Sequence, residues 1–142
     1  MELRPGESLA RATTLRIGGP AELLVEASSE RAVERVVAAA ERDAVPLFAL
    51  GLGSNLLVPD EGVHGVVLRL VGGLRRVRIR GRRVSAGAGA PLAQVARKAA
   101  KAGLAGLEAL SGFPSTVGGG VYMNAGAYGT EIKDVLISAR VV

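Results

Sequence analysis

The sequence predicts an α+β fold, with a small βαβ subdomain over residues 1–70 and a second α/β subdomain over residues 71–142. Three observations predict it. Strand-like runs and a helical pattern alternate before residue 71. The texture then changes, as Gly72-Gly73 gives way to an alternating basic stretch. Aromatic side chains are scarce, two Tyr and two Phe with no Trp, which leaves Ala, Val, Leu and Gly to do the packing. Small side chains of that kind suit helices laid closely on a sheet.

Taken in order, TLRIGGPAELLVEA (14–27) predicts two short strands broken at Gly18-Gly19-Pro20. Ser28 or Ser29 then caps a helix whose apolar positions Ala32, Val33, Val36, Val37 and Ala40 share one face. PLFAL (46–50) is a continuous apolar run, the mark of a buried strand, and it ends in GLGSN. A Pro59-Asp60-Glu61-Gly62 turn leads to a strand over Val66–Leu70. In the basic stretch, Arg76, Arg78 and Arg80 alternate with Val77 and Ile79, and Gly81 supplies a hairpin turn. Next comes a helix with Pro91 at its first position, a stripe of Leu92, Val95, Ala96 and Ala99, and a stop at Gly103. The final DVLISARVV reads as a strand that runs to Val142 with no polar terminus to close it. On that pattern the chain is expected to be a piece of a longer protein, with its second subdomain incomplete.

Composition narrows the function. Without cysteine there is no disulfide, thiolate nucleophile or Cys-based metal site. The N-terminus lacks an apolar signal region, and no apolar run reaches membrane-spanning length, so a soluble cytoplasmic protein is expected, with no membrane partner. The net charge of +5 is concentrated in Arg75, Arg76, Arg78, Arg80, Arg82 and Arg83. The alternation there describes a strand with one solvated face, and no aromatic is interleaved for base stacking; no nucleic-acid partner is expected.

Glycine-rich segments carry the rest. Gly51, Gly53, Ser54 and Asn55 follow a strand, where backbone N–H groups can form a concave anion site. Leu56 stands where a Rossmann fingerprint wants its third glycine, and Leu92 fails the same test in GAGAPL. His64, the single histidine, is a solvated turn residue, and neither Ser111 nor Ser115 lies in a nucleophile elbow. Glu108, Glu131 and Asp134 have no partner recognisable by spacing. SGFPSTVGGGVYMNAGAYG (111–129) is no flexible linker, because Phe113, Pro114, Val117, Val121, Tyr122, Met123 and Tyr128 are side chains of a buried kind. It predicts an ordered loop whose backbone approaches a ligand with phosphates and a flat ring, with Asn124 offering donor and acceptor to a heteroaromatic edge.

TTLRIGGPAELLVEA, ALGLGSNLLVPDEGVHGVVL and AGAGAPLAQVARKAAKAGLAGLEALSGFPSTVGGGVYMNAGAYGTEIKDVL together resemble the N-terminal portion of the UDP-N-acetylenolpyruvoylglucosamine reductase family (MurB, UDP-N-acetylmuramate dehydrogenases). The resemblance covers nearly the whole chain. Its specific part is residues 106–134; the G-x-G-S-N loop is shared with other flavoproteins. It implies the FAD-binding fold of the vanillyl-alcohol-oxidase/PCMH type, with FAD held between the two subdomains, and so accounts for the failed Rossmann tests. For the pyrophosphate it implies Gly51, Gly53, Ser54, Asn55 and Leu56. Along the flavin and its phosphates it implies Ser111, Gly112, Pro114, Ser115, Gly118 and Gly119, then Asn124, Gly126, Ala127 and Tyr128. Thr14 and Gly18 are weaker candidates.

The family reaction transfers a hydride from NADPH to FAD and on to UDP-N-acetylglucosamine enolpyruvate, in peptidoglycan (cell wall) synthesis. The partners implied are therefore NADPH and a UDP-sugar, for a monomer. The family's catalytic Arg, Ser and Glu map beyond Val142, as does a substrate-binding domain. No catalytic residue is expected within this chain, which by itself is expected to be inactive, and no metal is expected. The alternatives are another FAD-linked oxidoreductase of the same fold, or a non-catalytic module that binds a nucleotide or nucleic acid through the Arg75–Arg83 cluster.

Overall fold

In the computed structural model, which describes residues 1–142, the chain divides into two units, Met1–Gly73 and Leu74–Val141. The first is a four-stranded sheet ordered β1 (Glu2–Pro5), β2 (Ala21–Ala27), β4 (Val63–Leu70), β3 (Leu47–Leu50). β1 runs antiparallel to β2, whereas β2 and β3 both run parallel to β4. Helix α1 (Glu30–Arg42) links β2 to β3, so the strand–helix–strand unit is present with β4 inserted between its strands. The register of β2 on β4 shifts between Ala21 and Leu23. Gly65 occupies this irregularity at φ 101°, and the Glu22 carboxylate accepts its N–H at 2.7 Å.

Ser29 caps α1 as its sequence pattern requires, accepting the Ala32 N–H on its hydroxyl at 3.3 Å. Ala32, Val36 and Ala40 are the buried positions of the stripe. The core of the unit gathers Leu9, Ala21, Leu24, Leu50, Val58 and Val67. Leu9 belongs to a 3₁₀ turn over Leu9–Ala12, which, like β1, has no periodic signature in the sequence.

Two expectations about strands fail in this unit. Residues 14–17 are a turn and not a strand: Arg16 sits at φ 55°, and the buried Thr13 hydroxyl donates to the Ile17 carbonyl at 2.9 Å, closing the backbone on itself. PLFAL does form β3, but at the sheet edge, where Phe48 keeps 48% of its surface exposed. An edge strand needs only one covered face, and Leu50 provides it.

In the second unit, β5 (Val77–Arg80) and β6 (Arg83–Ala86) form the expected hairpin about Gly81, at φ 56°. Val77, Ile79 and Val84 are half-buried while Arg78, Arg80 and Arg83 are exposed. Helix α2 (Leu92–Lys101) buries all of Leu92, Val95, Ala96 and Ala99. Pro91 precedes it as an extended cap at ψ 132°, one residue earlier than predicted. Gly103, at φ 73°, ends it in a Schellman motif, with Gly103 N–H bonded to the Ala100 carbonyl and Leu104 N–H to that of Ala99. Leu92, Ala96, Leu110 and Ile132 make this unit's principal cluster.

The segment 111–129 is not a loop throughout. It contains helix α3 (Val117–Tyr122), capped by the Thr116 hydroxyl accepting the Gly119 N–H at 3.2 Å. β7 (Gly126–Ala127) and β8 (Thr130–Glu131) follow as a short hairpin, then helix α4 (Ile132–Val135). The expected last strand does not form: Leu136–Val142 carries no regular structure, and Ile137 and Val141 are 75% and 85% exposed, because no strand of the chain pairs with it. No helix is long and apolar enough to cross a membrane.

Candidate functional site

In the first unit the expected pyrophosphate loop follows β3. Gly53 is buried at φ 65°, and a Cβ added there would lie 2.4 Å from the Ala12 carbonyl oxygen. Its own carbonyl accepts the Thr14 N–H at 3.0 Å. Gly53 thus pins the loop to the turn after the 3₁₀ segment. Gly51 lies half-buried at the strand end, and beyond the pin Ser54, Asn55 and Leu56 are exposed. Gly18 is packed against the end of the same loop: at φ 122°, a Cβ added there would meet that of Val58 at 2.6 Å. Thr14 is exposed beside them. The structure therefore brings Gly51, Gly53, Ser54, Asn55, Thr14 and Gly18 together, around a stretch free of carboxylates from Gly51 to Pro59.

The second unit holds the other candidates. Ser111 and Gly112 end a 3₁₀ turn (Glu108–Gly112), the Ser111 hydroxyl donating to the Glu108 carbonyl at 2.7 Å. Pro114 is exposed, and the Ser115 hydroxyl donates to the Thr116 carbonyl. Gly118 and Gly119 form the first turn of α3, with the Gly118 position 3.1 Å from the Ala88 Cβ and the Gly119 position 3.0 Å from the Ser115 hydroxyl. Neither admits a side chain without movement. Ser111–Gly129 carries no charged residue. Tyr128 and Gly129 turn the β7–β8 hairpin with φ 53° and 77°, the paired positive values of a tight hairpin turn.

Side chains of this segment differ from expectation at Pro114, Tyr122, Met123 and Tyr128. Tyr122 and Tyr128 are 89% and 92% exposed, and Met123 is exposed too, so these are surface groups and not core. The Asn124 carboxamide already has partners within the chain: Nδ2 donates to Glu131 Oε2 at 2.9 Å, and Oδ1 accepts the Lys133 N–H at 3.0 Å. Only its second N–H and a lone pair remain for a ligand edge. Glu131, Lys133 and Asp134 were not foreseen here. Glu131 and Asp134 form a capping box on α4, and the three-residue spacing of two carboxylates before an apolar turn was the available signal. The hydrogen bond from Lys133, then that from Asn124, holds the Glu131 carboxyl below its usual range.

His64 is the second residue of β4, with its side chain 97% exposed, so it is a strand residue and not a turn residue. No group of three or more His, Cys, Asp or Glu side chains is placed to hold a metal ion.

A family described as "FAD binding domain" matches residues 21–142. UDP-N-acetylenolpyruvoylglucosamine reductase 2 of Symbiobacterium thermophilum is 44% identical over 99% of this chain and 46% of its own length. The UDP-N-acetylenolpyruvoylglucosamine reductase of Caulobacter sp. is 50% identical over 96% of this chain and 44% of its own length. Among solved structures, UDP-N-acetylenolpyruvylglucosamine reductase (MurB) from Thermus caldophilus superposes with a TM-score of 0.78 at 41% identity, covering 94% of this chain and 45% of that one. The chain spans somewhat less than half the length of these relatives. It belongs to the FAD binding domain family.

Proposed function

We propose that this chain is the FAD-holding part of a reductase that uses NADPH to reduce UDP-N-acetylglucosamine enolpyruvate to UDP-N-acetylmuramate for peptidoglycan. The observation that carries the proposal is chemical. Within the matched region, residues 51–59 and 111–129 are two ordered, glycine-rich stretches that bear backbone and side-chain donors and no carboxylate. Such a donor set fits a ligand of two phosphates and a flat neutral ring. Around the pyrophosphate, Gly51 and Gly53 would keep the backbone low, while Ser54 and Asn55 would offer donors beside Leu56. Ser111, Gly112, Pro114, Ser115, Gly118 and Gly119 would line the flavin and its phosphates, with Gly126, Ala127 and Tyr128 completing that wall. When bound, FAD supplies the hydride transfer; the residues of this chain bind and orient it. A cytoplasmic monomer with a part in cell shape and division belongs to the same proposal.

Titration of the purified chain with FAD tests it. Saturable flavin binding is expected, weakened in a Ser54→Ala, Asn55→Ala double variant whose circular dichroism is unchanged. A folded protein that takes up no FAD overturns it. A second reading is favoured by the exposed Arg78, Arg80 and Arg83 on one hairpin face, which suits a polyanion. Binding to random oligonucleotides that falls steeply with salt would support that reading.

A further inference from the structure

We propose that Asn124 is a positioning residue: its carboxamide fixes the Gly126–Glu131 hairpin, and so the backbone at Ala127 and Tyr128, without being a ligand contact. The consequence for a ligand rests on the FAD-holding role set out above; the geometry does not.

Asn124 follows α3 in the left-handed region at φ 44°. There it completes a Schellman motif, its N–H bonded to the Val121 carbonyl at 3.2 Å and the Ala125 N–H to that of Gly120 at 2.8 Å. Glycine is the usual residue at such a position, and it would serve the backbone equally well. What asparagine adds is the carboxamide, and both of its ends reach the far side of the hairpin. Nδ2 donates to Glu131 on β8, while Oδ1 accepts from Lys133 just beyond it. The Ile132 N–H bonds the Ala125 carbonyl at 3.0 Å between them. These three bonds close the base of the hairpin.

The clamp is needed because the ladder is short. β7 and β8 pair over only Gly126–Glu131 and Ala127–Thr130. An isolated two-stranded hairpin is marginal in water even when longer. The turn also holds Tyr128, a non-glycine residue, at φ 53°, a strain that persists only where surrounding contacts impose it.

The clamp requires one donor and one acceptor on the same side chain. Aspartate at 124 retains acceptors for Lys133 but turns a second carboxylate toward Glu131. Glutamine at 131 restores a donor in the reverse sense while conserving net charge. The test therefore compares the full chain with Asn124→Asp, Glu131→Gln and the double variant. The readouts are FAD affinity and hydrogen exchange at the Ile132 amide, with the Ala99 amide in α2 as the control for folding.

Asn124→Asp is expected to weaken FAD binding by about tenfold or more and to speed Ile132 exchange with Ala99 unchanged. The double variant is expected to return both to within about threefold of the parent. A double variant that binds FAD as weakly as Asn124→Asp would overturn the proposal, since the carboxamide would then be touching the ligand. Unchanged Ile132 exchange in Asn124→Asp would also overturn it. If the parent chain takes up no FAD, the FAD-holding role falls, and Ile132 exchange in the four proteins still decides whether Asn124 positions the hairpin.

Discussion

At the scale of single residues, Gly53 and Gly81 show how differently two glycines in the same backbone region are used. Both have positive φ, 65° and 56°. A Cβ at Gly53 would strike the Ala12 carbonyl, whereas one at Gly81 would meet nothing within 4 Å. Gly81→Ala should therefore cost only the left-handed strain, about 1 kcal/mol, while Gly53→Ala should cost about 2 kcal/mol or more. Urea unfolding of the two variants measures the difference, and equal midpoints would refute it. Gly53 was legible in the sequence from its place after a strand, although nothing in the residue pattern pointed to the 3₁₀ turn as what it packs against. Asn124 was legible as a polar group worth explaining. Its partners were not, because Glu131 and Lys133 meet it only once the chain has reversed at Tyr128 and Gly129.

Among the elements, those with strong periodicity were legible and those without it were not. The stripes of α1 and α2 and the alternation in β5 each specify one face, and each buries the face expected. β1 has no such signature: its pattern is mostly exposed, and it is a strand because it adds to the edge of β2. Helix α3 was hidden by its three glycines, the residues least suited to a helix interior apart from proline. Packing decides there, since a side chain at Gly120 would meet the Leu92 side chain at 2.7 Å. The β7–β8 hairpin is held partly by charge, which makes it sensitive to acid. Glu131 titrates below its ordinary 4.5 in the folded chain, with the Lys133 hydrogen bond the first cause. Its contribution is complete above the unfolded value and disappears as pH falls through the folded one. Ile132 exchange, corrected for intrinsic rate, should accelerate as pH drops below about 4.5, and Glu131→Gln should remove that step.

For the whole molecule, a ligand that binds only the folded chain must stabilise it. At a free FAD concentration one hundred times its dissociation constant, the gain is about 2.7 kcal/mol. The urea midpoint should rise accordingly, and riboflavin, which lacks the phosphates, should raise it less at equal concentration. An identical response to both would remove the pyrophosphate from the proposed role of Gly51–Leu56. The order of strands in the first unit has a further consequence, for synthesis. β4 is the last of the four strands to be made, yet it is the one that both β2 and β3 bond. Leu24 waits for Val67, and Phe48 waits for the same residue on the other side. A nascent chain halted before Val63 thus has α1 and the local β1–β2 pair available, but β3 is left without a neighbour. That window is where chaperone contact and premature strand-to-strand association between ribosomes are expected to concentrate.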